Sequence, residues 1–304
     1  MKIATLKENR IHGEPHYPVS TYRITCPPNR PLLDLHWHDE LEFLLVTEGR
    51  AAFRVDAAEY ELTAGEAIFV NGGELHSGRV VGGSPVTFRA VVFGAELFGS
   101  GDARDKIHEL YVEPLLLRRF AVPAYIGGGA PEALDIAAML AALFEANEAE
   151  APMRELTTKG LLHLCLAKLL RLRGETEKPH GPEGTAARID RLKAVIEHIE
   201  ANCEGPLPLR ELAAMAGMSE AYFCRFFKKM TALTPVEYVN TVRVQKAAEL
   251  LRRDERKIMA VAMDVGFNNL NHFNRLFKRR FQCTPSAFRR RLAGGGGFHR
   301  EPAE

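Results

Sequence analysis

GFNNLNHFNRLFKRRFQCTPSAFR, residues 266–289, is the stretch from which the rest of the chain can be interpreted. On a 3.6-residue period its apolar side chains fall on one helical face, formed by Phe273, Leu276 and Phe277. The other positions carry amide, guanidinium and ammonium groups suited to base edges and phosphates: Asn271, Asn274, Arg275, Lys278 and Arg279. Upstream, an apolar stripe from Ile258 to Val265 ends at Gly266, a residue typical of helix C-termini. A helix, a glycine turn and an amphipathic helix together predict a helix-turn-helix motif.

The same pattern occurs once earlier in the chain. An apolar stripe ends at Gly217, Ser219 is a favourable N-cap residue, and a second Phe- and Arg-rich segment follows. The offset is 49 residues up to the glycines and 50 residues after them, in the pairs Ala213 and Ala262, Gly217 and Gly266, Arg225 and Arg275, Phe227 and Phe277, Lys228 and Lys278, Pro235 and Pro285. The sequence therefore contains an internal repeat with one extra residue in the second turn.

These motifs resemble the AraC/XylS-type transcription regulators over about residues 188–292. The family pattern in the second motif is matched at Ile258, Ala262, Gly266, Phe267, Phe273, Arg275, Phe277, Lys278, Thr284, Pro285, Phe288 and Arg289. The resemblance implies two helix-turn-helix motifs joined by a linker helix, here residues 235–253 including Arg243. It also implies promoter DNA and RNA polymerase as partners.

By the same resemblance, side chains near the start and middle of each second helix contact DNA. The positions are Ala221, Cys224, Arg225, Lys228, Asn271, Asn274, Arg275, Lys278 and Arg279. Arginine can pair with guanine and asparagine with adenine, whereas Ala221 and Cys224 offer only methyl contact or weak polarity. We therefore expect the DNA-contacting helix of the first motif to discriminate between bases less well than that of the second motif. The alternatives are intradomain ion pairs for the arginines, caps or solvated positions for the asparagines, and an ordinary solvated basic face.

The charge of the chain is unevenly distributed. From residue 188 onward there are 21 Lys and Arg against 13 Asp and Glu, a net charge of +8. The preceding residues have 19 against 26, a net charge of −7. This asymmetry predicts that only the C-terminal part meets a polyanion. The five cysteines form no Cys-x2-Cys pair, so we expect reduced thiols. Because the start of the sequence lacks an apolar leader, we expect a cytoplasmic protein without a membrane partner.

The N-terminal half shows two successive patterns. From about residue 35 to 93, short apolar runs alternate with glycine turns, which predicts the strands of a small barrel or sandwich. Residues 1–30 are polar and turn-rich and are expected to wrap over that barrel. Residues 103–173 have helical periodicity. Their leucine-rich run, 156–172, either packs on the barrel or forms the homodimer interface that the family resemblance implies.

The expected fold class is α+β, with an N-terminal cupin-like β-barrel plus helices and an all-α C-terminal domain. Its expected parts are an effector-binding and dimerisation domain at 1–175 (barrel 17–98, helices 103–173), a linker at 176–187, a double helix-turn-helix domain at 188–292 and a disordered tail at 293–304. The linker is expected because Gly, Pro and charged residues from 174 to 187 show no apolar period.

A candidate ligand site lies in the predicted barrel. His36 and His38 fall on one side of an extended strand, and Glu42 and His76 follow them. These ligand types suit Fe, Mn, Zn, Ni or Cu. The spacing resembles the first metal motif of the cupin superfamily, although Asn71 stands where the second motif usually has proline. Two interpretations remain open: a metal-free pocket for a small effector, as the resemblance to sensor-type cupins implies, or a divalent transition-metal site.

We therefore expect a one-component transcription regulator, an activator by resemblance, whose barrel binds a small effector and changes how the C-terminal domain grips a promoter. One alternative is a metal-dependent cupin enzyme fused to a DNA-binding domain. Another is a constitutive dimeric DNA binder without an effector. Apart from the histidine and glutamate cluster, no Ser/His/Asp or Cys/His set indicates catalysis, so we expect no enzymatic activity.

Overall fold

The computed structural model describes residues 6–8, 10–14, 16–28, 30–99, 105–119, 122–172, 185–253 and 256–293. These residues divide into two compact units, one containing residues 7–172 and the other containing Leu6 and residues 187–293. Most of the expected linker, residues 176–184, and the expected tail beyond 293 lie outside the described residues. In the part of the chain that is described, no helix has the length and hydropathy needed to span a membrane.

Two antiparallel sheets form the framework of the N-terminal unit. Their strands are β1 (Val19–Cys26), β2 (Pro31–His36), β3 (Leu41–Glu48), β4 (Arg50–Val55), β5 (Ala58–Thr63), β6 (Ala67–Val70), β7 (His76–Val80), β8 (Val86–Phe93) and β9 (Tyr125–Ile126). The first sheet has the order β1-β8-β3-β6-β9, and the second has the order β2-β7-β4-β5. This arrangement confirms the cupin-like barrel.

Strand β3 contributes to a core on each of its faces, because successive side chains of a strand point to opposite sides. Leu44 and Val46 pack with Phe53 and other residues of the second sheet inside the barrel. Phe43 and Leu45 point outward and pack against helices. Burying one such side chain stabilises the fold by roughly 1.5–3 kcal/mol.

Helices cover the outer face of the first sheet. They are α1 (Glu113–Leu116), which continues a π-helical turn at His108–Val112, α2 (Pro131–Glu148) and α3 (Arg154–Arg171). The leucine-rich run of α3 buries Leu162, Cys165, Leu166 and Leu169 in the same core as the sheet residues. Packing on the barrel, one of the two interpretations of this run, is therefore confirmed.

Two strands lie outside the apolar runs, residues 35–93, from which the sequence predicts the barrel strands. Residues 19–26 fall within the expected barrel at 17–98 but also within the polar stretch expected to wrap over it, and they pair along their whole length with β8 as part of the barrel. Their polar outer face concealed the alternation that marks a strand. Residues 125–126, expected to be helical, add β9 to β6. A two-residue strand is too short to leave a periodic signal.

The C-terminal unit is helical and repeats itself. Its helices are α4 (Thr185–Asn202), α5 (Leu209–Met215), α6 (Glu220–Thr231), α7 (Pro235–Arg253), α8 (Ile258–Asp264), α9 (Leu270–Phe281) and α10 (Pro285–Ala293). Helix α8 begins 49 residues after α5, and α9 begins 50 residues after α6. The extra residue predicted in the second turn is therefore confirmed.

Glycine ends the first helix of each motif. Gly217 has φ +65° and Gly266 has φ +93°, in the left-handed region that side chains with a Cβ disfavour. In both motifs the N–H of the next residue donates to the carbonyl of the alanine four residues before the glycine. Such bonds satisfy the last carbonyls of the helix and direct the chain into the turn.

Helix α7 belongs to both motifs, as the linker-helix prediction requires. In its N-terminal half, Tyr238 packs against Phe227 of α6, with 5.6 Å between the ring centroids. Its C-terminal half, from Val244 to Leu251, is part of the core formed with α8, α9 and α10. Helix α7 therefore contributes apolar side chains to the cores of both motifs.

Candidate functional site

Four predicted ligand residues meet inside the barrel. His36 ends β2 and is the cross-strand partner of His76, the first residue of β7. His38 follows β2, and Glu42 points inward from β3 on the same face as Leu44. One ring nitrogen from each histidine lies within 4.8 Å of the others.

Each of these histidines is oriented by the backbone. In all three, Nδ1 lies at hydrogen-bond distance from a carbonyl two residues away: His36 and Asp34 at 2.8 Å, His38 and Glu40 at 3.1 Å, His76 and Glu74 at 2.9 Å. A proton held on Nδ1 by such a bond leaves Nε2 as the nitrogen with the free lone pair. This is how metal-binding histidines are commonly oriented.

Glu42 is the charged centre of the cluster and is only 4% exposed. Its Oε2 lies 3.0 Å from Nε2 of His76 and 3.4 Å from Nε2 of His38. Burial by itself would raise the pKa of Glu42, but the bonds and charges of His38 and His76 lower that pKa far below its usual range. Glu42 is therefore ionised at neutral pH.

The pKa values of His36 and His38 are shifted in opposite directions. Burial, together with the neighbouring His76, lowers the pKa of His36 to about 4, so its imidazole is neutral at pH 7. Burial also opposes protonation of His38, but Glu42 and two further carboxylates outweigh this and raise the pKa of His38. A ligand that binds beside His38 therefore meets an imidazole that holds its second proton more strongly than a free histidine does.

Two residues that sequence reasoning missed lie beside the cluster. Oε2 of Glu8 is 3.4 Å from Nε2 of His36 and 3.5 Å from Nε2 of His12. The N–H of Glu8 donates to the carbonyl of Trp37, which holds this N-terminal segment against the barrel. No motif spacing could have indicated the contact, because it depends on where a distant polar segment comes to lie.

The predicted DNA-contacting side chains lie on the solvent side of α6 and α9. Cys224 and Asn274 are half-buried, and the others are exposed: Ala221, Arg225, Lys228, Asn271, Arg275, Lys278 and Arg279. Behind them, Phe223, Phe227, Phe273 and Phe277 are fully buried. The aromatic face holds each helix in place and the polar face points outward.

The alternative roles for these residues can now be compared with the structure. Among the described residues, neither Arg225 nor Arg275 has a hydrogen-bond or ion-pair partner, so intradomain salt bridges do not occupy them. The N-cap of α9 is Asn269, whose side chain accepts the N–H of His272 at 2.9 Å. Ser219 occupies the N-cap of α6, but its side chain makes no capping bond.

Comparison with known proteins agrees with both units. A helix-turn-helix domain model matches residues 212–291. An AraC-like ligand binding domain model matches residues 18–166. The chain belongs to the AraC family of transcription regulators. This AraC-family protein thus joins a ligand-binding domain to a DNA-binding helix-turn-helix domain.

Relatives align along nearly the whole AraC-family chain. It is 25% identical over 286 residues to the uncharacterised HTH-type transcriptional regulator YdeC of Bacillus subtilis, covering 94% of this chain and 96% of the relative. It is 26% identical to the HTH-type transcriptional activator RhaS of Escherichia coli O157:H7, covering 95% and 98%. Among solved structures, a probable AraC family transcriptional regulator from Rhodopseudomonas palustris is 30% identical over 34% of this chain and 97% of its own, with a TM-score of 0.33.

Proposed function

We propose that this AraC-family regulator is a transcription activator whose DNA binding is controlled by a small effector held at His36, His38, Glu42 and His76. The observation that carries the proposal is an ionised carboxylate buried among three histidines. Taking such charges out of water costs several kcal/mol per ion, and apolar residues would often give an equally stable or more stable core. A barrel that served only for dimerisation would have no need of this cluster.

Activation and the partners are supported by similarity and by exposed surface. RhaS, which aligns over almost all of the chain, is named an activator, and RNA polymerase is the protein partner that the family resemblance implies. Homodimer formation is supported by exposed leucines on α2 and α3, namely Leu134, Leu156 and Leu164. Large apolar side chains in water are typical of an interface when they cluster.

The test of effector control combines ligand binding with DNA binding. A library of small metabolites is screened against the full chain for ligands that raise its unfolding temperature. Binding of each ligand found is then measured for the Glu42→Gln variant. The effect of the same ligand on DNA affinity and on transcription is measured with a duplex that the wild-type protein selects. We expect a ligand that requires Glu42 and changes the affinity for DNA. Ligands that bind the barrel yet leave both affinity and transcription unchanged would contradict effector control.

A divalent transition metal is a second candidate occupant, supported by the common orientation of the histidines. When all three imidazoles are neutral, their Nε2 lone pairs and the Glu42 carboxylate form a donor set suited to such ions. His36, His38, His76 and Glu42 would hold the ion, which would supply a Lewis acid for donor groups of an effector. Protein purified from metal-replete medium should then carry a near-stoichiometric metal that His38→Ala or His76→Ala removes. Metal-free protein from such growth would contradict this candidate.

For DNA recognition, we propose that α6 and α9 enter successive major-groove faces roughly one turn, ~10 bp, apart. The proposal rests on two exposed polar helix faces repeated along one chain. Base contacts are assigned to Ala221, Cys224, Arg225, Asn271, Asn274 and Arg275, and phosphate contacts to Lys228, Lys278 and Arg279. Selection of duplexes from a random pool tests this, since two enriched half-sites at that spacing are expected, and a single short site would contradict it.

A further inference from the structure

Arg243 connects three parts of the DNA-binding unit. It lies near the middle of α7, where its Nε donates to the carbonyl of Cys203 at 2.6 Å and its Nη2 donates to the carbonyl of Gly205 at 2.8 Å. Both carbonyls belong to the connection between α4 and α5, which is part of the first motif. The guanidinium carbon also lies 5.9 Å from the centre of the Phe267 ring, in the turn of the second motif.

The second turn approaches this connection closely. A Cβ atom on Gly266 would lie 2.7 Å from the carbonyl oxygen of Glu204 and 2.9 Å from Nε of Arg243. Lys246, about one helical turn after Arg243, pairs with the Glu204 carboxylate at 2.7 Å. The backbones of the two motifs therefore meet at Arg243, and only glycine permits so close an approach.

Arg191 offers an informative contrast in the first motif. It lies on α4, and a Cβ atom on Gly217 would collide with its guanidinium, so it too covers a turn glycine. However, its Nε donates to the carbonyl of Ala187 in its own helix, at 3.2 Å. The hydrogen bond of Arg191 therefore stays within the first motif. Arg243 lies on the helix that both motifs share, donates to the backbone of the first motif, and lies next to the turn of the second motif.

We propose that Arg243 fixes the orientation of α6 relative to α9, and thereby the spacing at which the two DNA half-sites are read. Without its two bonds, only the ion pair of Lys246 and the Glu204 side chain ties the connection at 203–205 to α7, and the backbone of this connection is held less firmly against the turn at Gly266. Bases are 3.4 Å apart along each strand, so a small rotation of one motif changes which base its recognition helix reaches. Arg243 is a positioning residue, because its donors are directed at protein carbonyls.

The test compares the half-site spacing chosen by the wild-type chain, Arg243→Lys and Arg191→Lys. Lysine keeps the positive charge but lacks the planar fork needed to donate to two fixed carbonyls. Each full-length protein selects duplexes from a random pool, and the separation of the two enriched half-sites is determined. We expect a single spacing for the wild type and Arg191→Lys. For Arg243→Lys we expect unchanged bases within each half-site, several spacings, and roughly tenfold weaker discrimination against a one-base-pair insertion.

A second measurement separates orientation from stability. Spin labels are placed at Ala221→Cys and Asn271→Cys in a Cys224→Ser background, and their distance distribution is measured in folded, DNA-free protein. A narrow distribution that widens in Arg243→Lys is expected. Equal widths, or an unchanged single spacing in the selected duplexes, would overturn the proposal. So would altered base preference within one half-site at unchanged spacing, because Arg243 would then act on a recognition helix directly.

Discussion

At the scale of single residues, Glu42 illustrates how the surroundings of a buried charge decide its protonation. Its low pKa means that the folded state holds the ionised form more strongly than the unfolded state does, which has an ordinary pKa of 4.5. The resulting stabilisation is complete above that ordinary value and is lost as the pH falls through the folded pKa. The contacts of Glu42 with His38 and His76 cause this lowering of its pKa.

Glu42→Gln should therefore flatten the acid dependence of stability in chelator-treated protein. The amide keeps the shape of the side chain but has no proton to gain in this range. We expect the free energy of unfolding of the N-terminal unit to fall less steeply for the variant than for the wild type as the pH is lowered below 4.5. Denaturant titrations from neutral to acid pH measure this. Parallel curves would mean that Glu42 is not the group that titrates.

Arg275→Ala should lower both affinity and base selectivity. An arginine that pairs with a base contributes about 1–3 kcal/mol, and its loss relaxes one position of the site. Lys278→Ala is the matched comparison, since loss of a phosphate contact weakens all sequences about equally and reduces the salt slope by about one. Binding isotherms on the selected duplex and on random duplexes separate these outcomes. Equal loss on both duplexes for Arg275→Ala would reassign it to the phosphates.

Cys224 should be the thiol most rapidly modified in the native protein. It is half-exposed, whereas the other four cysteines are buried and burial raises the pKa of Cys165 to about 12. Because Cys224 lies on the predicted reading face of α6, saturating DNA should slow its labelling. Maleimide labelling followed by peptide mapping measures this, with Cys224→Ser as the control. An unchanged rate in the complex would place α6 outside the groove.

At the scale of elements, the two turn glycines provide a matched pair. Alanine at Gly217 would meet only the flexible end of Arg191, whereas alanine at Gly266 would meet the backbone of Glu204. Both substitutions incur left-handed strain of roughly 1–2 kcal/mol. We therefore expect Gly266→Ala to destabilise the C-terminal unit clearly more than Gly217→Ala does, as measured by denaturant unfolding. Equal losses would show that the 203–205 connection moves aside easily.

The elements that the sequence predicted are those with a long period or a repeat. The sequence predicts helix α9 because Phe273 and Phe277 recur on one face. The match between α9 and α6 predicts the two helix-turn-helix motifs of the C-terminal unit. The histidine cluster was predicted because His36, His38 and Glu42 are close in sequence. Glu8 and Arg243 were not assigned their contacts, since each depends on a tertiary approach between segments far apart along the chain. Local patterns do not encode such approaches.

At the scale of the whole molecule, the proposed homodimer should depend on the leucines exposed on α2 and α3. Leu156 is 71% exposed and Leu164 is 50% exposed, although neighbouring residues of α3 are deeply buried. We expect Leu156→Asp combined with Leu164→Asp to weaken the homodimer at least ~10-fold while leaving the fold intact, because each buries an unpaired charge in the interface. Val236→Asp, at an exposed position of the other unit, is the control. Sedimentation equilibrium measures the change, and an unaltered dimer would locate the interface elsewhere.

The sharing of α7 between two cores limits how this protein can be divided. A chain that ended at residue 253 would retain Tyr238 against Phe227 but would leave the strip from Val244 to Leu251 uncovered in water. A chain that began after α7 would lack the side chains from Val244 to Leu251 that complete the core of α8, α9 and α10. Neither half of the repeat can therefore be deleted or transplanted alone without a new apolar partner for α7.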